Sequence, residues 1–115
     1  MRTNEGRLLD EASARLAAGV TAFALDVSAE EVLGLQRGSA AVAFARHVAV
    51  YLCHTAFEMS LARVAIAFGR DRSTVAHACH VIEDRRDEAH FDVWIGSLET
   101  MLREAPAPAK QAMSA

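Results

Sequence analysis

Apolar residues fall along this chain in blocks of helical spacing, separated by short polar or glycine-containing breaks. Leu8, Leu9, Ala12, Leu16, Val20 and Phe23 recur every three or four positions, which predicts a first helix from about Asn4 into the low twenties. Ser28 followed by Glu31 is a capping-box pair that opens a short helix through Val32 and Leu35. Gln36-Arg37-Gly38-Ser39 reads as the next loop, with Gly38 placed to end that helix. A third helix, about Ala40 to Phe57, is apolar nearly all round, through Val42, Phe44, Ala45, Val48, Ala49, Tyr51 and Leu52. Such a helix is the one the others pack against.

Ser60 is positioned to cap a fourth helix, Leu61 to Phe68, which Gly69 stops. Either Asp71 or Ser73 can cap a fifth, from about Arg72 to Arg86. A last helix, about Phe91 to Arg103, gathers Trp94, Leu98, Met101 and Leu102 on one side, as core or as a dimer face. The alternating β-branched and aromatic runs that mark strands do not occur. The expected fold is all-α, a compact domain of about six helices over residues 1–104. The tail 105–115, with Pro106, Pro108 and small residues, is expected to be disordered.

A chain of 115 residues can bury one core without staples. Cys53 and Cys79 fit a reduced protein better than a disulfide framework. No basic-apolar-small leader stands at Met1 and no apolar run is long enough to span a bilayer, so a cytoplasmic, nucleoid-associated location is expected.

The formal net charge of −3 argues against a nucleic-acid binder until it is located along the chain. Residues 32–82 carry Arg37, Arg46, Arg63, Arg70 and Arg72 against only Glu58 and Asp71, while both flanks are acidic. The positive charge therefore sits in one segment, where a phosphate-facing surface would need it.

That segment also holds the spacing of a helix-turn-helix. Two helices crossing steeply at a short turn need a small residue in the first, a glycine in the turn and apolar residues at set places in the second. Counting from Leu61, Ala65 is fifth, Gly69 ninth, Val75 fifteenth and Ala78 eighteenth. The second helix then divides into two stripes. Val75, Ala78, Cys79 and Ile82 point inward, and Arg72, Ser73, Ala76, His77 and His80 point outward. Arg72 can fork onto a guanine edge, Ser73 or Thr74 can meet a phosphate or a thymine methyl, and Ala76 lets the backbone approach. Free amides at the helix start add a phosphate site.

The stretch Ala45-Arg46-His47-Val48-Ala49-Val50-Tyr51-Leu52, then Ser60-Leu61, then Ala67-Phe68-Gly69-Arg70-Asp71-Arg72-Ser73-Thr74-Val75, then His77-Ala78-Cys79 and Ile82-Glu83, resembles the C-terminal DNA-binding domain (domain IV) of the bacterial replication initiator DnaA. The resemblance runs from about Leu8 to Leu102 and implies a Trp-repressor-like helix-turn-helix. It implies double-stranded DNA as partner, with Arg72, Ser73 and Thr74 reading bases or phosphates, Asp71 at the helix mouth and His77 along the groove. Arg46 and His47 would touch the DNA backbone, and Arg37, Arg63 and Arg70 complete the expected DNA-contacting set.

Three departures narrow that expectation. No GxxxxGK[ST] run exists here, so ATP binding is not expected and no cofactor is called for. The loop that is rich in Arg and Lys in the family is here Gln36-Arg37-Gly38-Ser39-Ala40, with one charge left, and Arg72 stands where the family has a base-reading histidine. Cys53, His54, His77, Cys79 and His80 match no zinc spacing, and no carboxylate pair or nucleophile with a partner base suggests an enzyme. Arg85 and Arg86 read as balanced by Glu83, Asp84, Asp87 and Glu88. The expected function is sequence-specific duplex binding by a small transcription regulator, the alternative a DnaA-related modulator of replication initiation working through protein contacts. One recognition helix with few basic supports also implies a homodimer, through the first or last helix, or a protein partner.

Overall fold

Side-chain caps set most of the helix starts in the computed structural model, which describes residues 3–107. Thr3 accepts from the Gly6 amide at 3.1 Å and opens α1 (Asn4–Leu25), and Ser28 accepts from Glu31 at 3.3 Å and opens α2 (Ala29–Leu33). Ser39 caps α3 (Ala40–Thr55) through the Val42 amide, and Ser60 caps α4 (Leu61–Phe68) through Arg63. The Glu88 carboxylate takes the His90 and Phe91 amides at the mouth of α6 (Ala89–Glu104). Each such bond satisfies a donor that the helix itself leaves orphaned. The exception is α5 (Arg72–Arg85), whose N-cap residue Asp71 makes no side-chain capping bond.

The all-α expectation holds: six helices and no strand are found among the described residues. Of the tail expected from 105 onward, residues 108–115 lie outside the described residues. No helix among the described residues is long and apolar enough to cross a membrane.

As its pattern requires, α3 is central. Ala45, Val48, Ala49, Leu52 and Cys53 are fully enclosed, and α1, α4 and α5 all pack against the helix. The face that α1 turns to the core departs from the sequence expectation. Ala14, Ala17, Ala18, Thr21 and Ala22 are buried, whereas Leu8, Leu9, Leu16 and Phe23 face outward, Phe23 being 91% exposed. Alanines let the two helix axes approach closely, so small size rather than hydrophobicity marks the contact face.

The glycines of the α2–α3 loop also change places. Gly34, in ordinary backbone at φ −69°, ends α2. Gly38 lies just before the Ser39 cap at φ +72°, where a Cβ would stand 3.0 Å from Val42 Cγ1.

At the far end of α5 a polar network ties three helices together. Arg86 donates to Asp92 at 2.6 Å, to Glu99 at 3.0 Å and to the Tyr51 hydroxyl at 3.1 Å, and Tyr51 donates to Glu83 at 2.5 Å. Burial works against the Arg86 charge, but the bonds to Asp92, Glu99 and Tyr51 more than offset it, so its pKa is raised. Burial, followed by the Glu83 bond, pushes the Tyr51 phenol up to about 12. Arg85 is not balanced by neighbouring acids as its sequence surroundings suggest. Its guanidinium stacks between the rings of Phe44 and Phe91, at 4.8 and 4.5 Å from their centroids.

Candidate nucleic-acid interface

Gly69 turns the chain between α4 and α5. Its left-handed backbone (φ 63°, ψ 38°) directs its amide to the Ala65 and Ile66 carbonyls, and the Arg70 amide follows to Ala65 at 2.9 Å. A residue with a Cβ is strained in this conformation, and the Cβ would meet Leu35 Cδ2 at 3.1 Å. At the crossing, Ala65 is small enough to let α5 pass, while Val75, Ala78 and Ile82 bury the inner stripe of α5.

The outer stripe is solvent-facing: Arg72, Ser73, Thr74, Ala76, His77 and His80 are all exposed. Because Asp71 makes no cap, the first-turn amides of α5 lack the side-chain acceptor that the other helix starts have. Those amides lie at the positive end of the helix dipole, beside the exposed Ser73 and Thr74, and such a helix start is suited to receive a phosphate oxygen.

Beside this helix mouth lies a 450 Å³ cleft lined by Leu35, Arg37, His47, Asp71 and Thr74, with Arg46 and Arg70 in its wall. His47, in the cleft lining, meets His77 of α5 edge to face, with ring centroids 6.1 Å apart. Burial first, then the charges of His77, Arg46 and Arg37, lowers the His47 pKa below the usual 6.5. In the free chain His47 is therefore neutral at pH 7. Its stability contribution is full above about 6.5 and is lost as pH falls through the lowered folded value. A phosphate placed in the cleft would supply a counter-charge and raise that value again. Duplex affinity is therefore expected to rise as pH falls from about 8 to 6, by up to about tenfold for each pKa unit regained. Titration of binding at fixed salt checks this, and His47→Gln should flatten the profile.

Of the residues expected to contact DNA, Arg37, His47, Asp71 and Thr74 line one cleft, and Arg72, Ser73 and His77 are exposed on α5, with His77 against His47. The structure gives the other three different work. Arg46 is only 8% exposed, and its guanidinium donates to the carbonyls of Glu31, Val32, Gln36 and Arg37 at 2.6–3.1 Å. Four of its five donors are thereby used, so a backbone phosphate contact from Arg46 is replaced by an internal one. Arg70 donates to the Gly34 and Leu35 carbonyls at 2.6 and 2.8 Å. Arg63 forks onto Asp10 at 2.7 and 3.1 Å and lines a separate groove with Leu9, Leu16 and Leu102. Among these five arginines, only Arg37 and Arg72 have no hydrogen bond or ion pair from their guanidinium.

Sequence reasoning missed what Arg46 and Arg70 do. The one signal was position, since Arg46 interrupts an otherwise apolar helix and so must satisfy its charge indoors.

Among the described residues no three of His, Cys, Asp and Glu are grouped to hold a metal ion. Burial pushes the Cys53 and Cys79 thiols up to about 12 and about 11, which leaves them poor nucleophiles.

The profile of the bacterial dnaA protein helix-turn-helix matches residues 18–82, more than half of the chain. The chain belongs to that family. Chromosomal replication initiator protein DnaA of Tropheryma whipplei (strain Twist) is 37% identical over 65 residues, covering 56% of this chain and 13% of the relative. The protein of the same name from Cutibacterium acnes is 41% identical over 59 residues, 50% of this chain and 12% of the relative. The chain thus spans about an eighth of the length of these DnaA relatives.

Two solved structures share most of the helical arrangement. A DNA replication initiation factor superposes with a TM-score of 0.76 at 27% identity, over 87% of this chain and 31% of that one. A replication initiator DnaA bound to AMPPCP and single-stranded DNA gives 0.71 at 27% identity, over 83% and 29%. The dnaA helix-turn-helix match runs from within α1 to Ile82 of α5, including Arg37, the cleft and the outer stripe.

Proposed function

We propose that this chain binds double-stranded DNA in a sequence-specific manner, with α5 in the major groove, and acts as a small transcription regulator. The observation that carries this reading is the outer stripe of α5. An uncapped helix start, two hydroxyls, His77 and an Arg72 with no bonded partner are all exposed on α5, over the buried stripe of Val75, Ala78 and Ile82. Arg72 reads a guanine edge, Ser73, Thr74 and the first-turn amides hold a phosphate, and Arg37 reaches the adjoining minor groove. Asp71 borders the site, and His47 and His77 follow the groove wall. The reading needs no cofactor and no catalytic group.

With Arg46, Arg63 and Arg70 engaged internally, few phosphate contacts remain. Even if the two free arginines, Arg37 and Arg72, each neutralised one phosphate, the salt slope would be only about −2, or roughly a tenfold loss between 50 and 200 mM salt. So shallow an electrostatic contribution is supplemented by a second copy or a protein partner, and the outward Leu9, Leu16 and Phe23 of α1 support such an association. A second reading, modulation of replication initiation, is favoured by the relatives, which are themselves replication initiators.

Selection from random-sequence duplexes, with wild type and Arg72→Ala compared at low and moderate salt, tests the proposal. An enriched motif that depends on Arg72 is expected. Equal, weak retention of every sequence by both proteins would instead favour a protein-contact role.

A further inference from the structure

The loop between α2 and α3 is shaped by two side chains rather than by its own backbone bonds. Arg46, from the second turn of α3, and Arg70, from the turn of the helix-turn-helix, donate to six carbonyls between residues 31 and 37. Their grips interleave: Arg46 takes Glu31, Val32, Gln36 and Arg37, and Arg70 takes Gly34 and Leu35 between them. Arg37, at the end of this grip, is exposed, and its side chain makes no bond.

We infer that Arg46 and Arg70 are positioning residues, a two-arginine clamp that fixes the loop so that Arg37 is presented to the duplex at a set distance from α5. The inference rests on the reading of α5 and this loop as the DNA-contacting face.

Geometry requires guanidinium forks for this task. A lysine ammonium is a single point of donors and cannot span the carbonyls that each arginine bridges. The keying is also double. Arg46 fixes the loop to the helix beneath it, and Arg70 fixes it to the turn that sets the mouth of α5. The gripped carbonyls at the end of α2 carry the negative end of that short helix, which favours a cation there.

The clamp keeps its charge. Arg63 is paired with Asp10, and Arg86 with Asp92 and Glu99, whereas Arg46 and Arg70 are held by neutral carbonyls. Both line the cleft beside α5, so their two positive charges act across it on a phosphate they do not touch. Clamp residues of this kind shape the loop and hold the field that draws DNA to it.

Arg70 is the better of the two to vary, because it sits at the rim and Arg46 in the interior. Arg70→Lys keeps the charge and removes the fork. Two measurements on the intact chain decide the matter. Amide exchange at Arg37 and Gly38 should accelerate at least tenfold in Arg70→Lys, with protection in α5 unchanged. Duplex affinity should fall several-fold, and in that background Arg37→Ala should change it by less than twofold while Arg72→Ala keeps its full effect. Unchanged loop exchange, or an Arg37→Ala effect of equal size in both backgrounds, would overturn the clamp. Failure of the wild-type chain to retain any duplex would sink the DNA reading alone, and the exchange experiment would still decide whether Arg70 holds the loop.

Discussion

Replacing Arg72 with alanine is expected to lower affinity for the preferred duplex by about 1–3 kcal/mol and to relax selection at one base position. The expectation follows from what Arg72 does not do in the free chain. It is the first residue of α5, exposed, with no carboxylate or carbonyl bound to its guanidinium. Its removal therefore costs the fold little, within about 0.5 kcal/mol for an exposed position of this kind. The loss appears only in the complex, where a planar fork matched to a guanine O6 and N7 is gone. Arg72→Lys should restore part of the general affinity but not the base preference, because the ammonium supplies charge without the paired donors. Competition binding against single-base variants of the selected duplex reads both effects.

The largest expected loss of stability comes from Arg86→Ala, about 3 kcal/mol, which is the low end of the range for breaking a buried pair. Two features set that size. Glu99 is only 6% exposed and would be left without its 3.0 Å partner, and the Tyr51 hydroxyl would lose a donor as well. Desolvation already opposes the Arg86 charge in the native chain, so the network is retained by its bonds and not by burial. In a domain of this size the change corresponds to a fall of about 10–20 °C in Tm. The double change Arg86→Met with Glu99→Leu should cost distinctly less, since it removes both charges instead of stranding one. Thermal unfolding of the three variants separates these cases. DNA binding by Arg86→Ala at low temperature should be altered less than by Arg72→Ala, because the network holds the far end of α5 and not its mouth.

The helices themselves were legible because caps and periodicity agree. Ser28 and Ser60 each stand three residues before the amide they receive, and α4 ends where Gly69 permits a left-handed turn. The outer stripe of α5 was legible for the same reason, since α-helical spacing alone separates Val75, Ala78 and Ile82 from Arg72, Ser73 and His77.

Two things were not legible. The inner face of α1 is alanine, so its leucines pointed to the wrong side. Close approach between helices selects for size, a property that a hydrophobic pattern does not report. The arginines of the central segment also look alike in sequence. Arg63 finds Asp10 across 53 positions, and Arg46 finds carbonyls up to 15 positions earlier, so only tertiary structure tells a paired guanidinium from a free one. Counting charge along the segment therefore overstates the surface that faces a polyanion.

Mapping backbone amide shifts while the isotope-labelled chain is titrated with its selected duplex is the most direct check on this interface. The largest changes should fall on Arg72, Ser73, Thr74 and His77, with a second group at Arg37 and His47 and little movement at α1 and α6. Changes confined to α1 and α6, with the start of α5 silent, would contradict the proposal that this helix reads DNA.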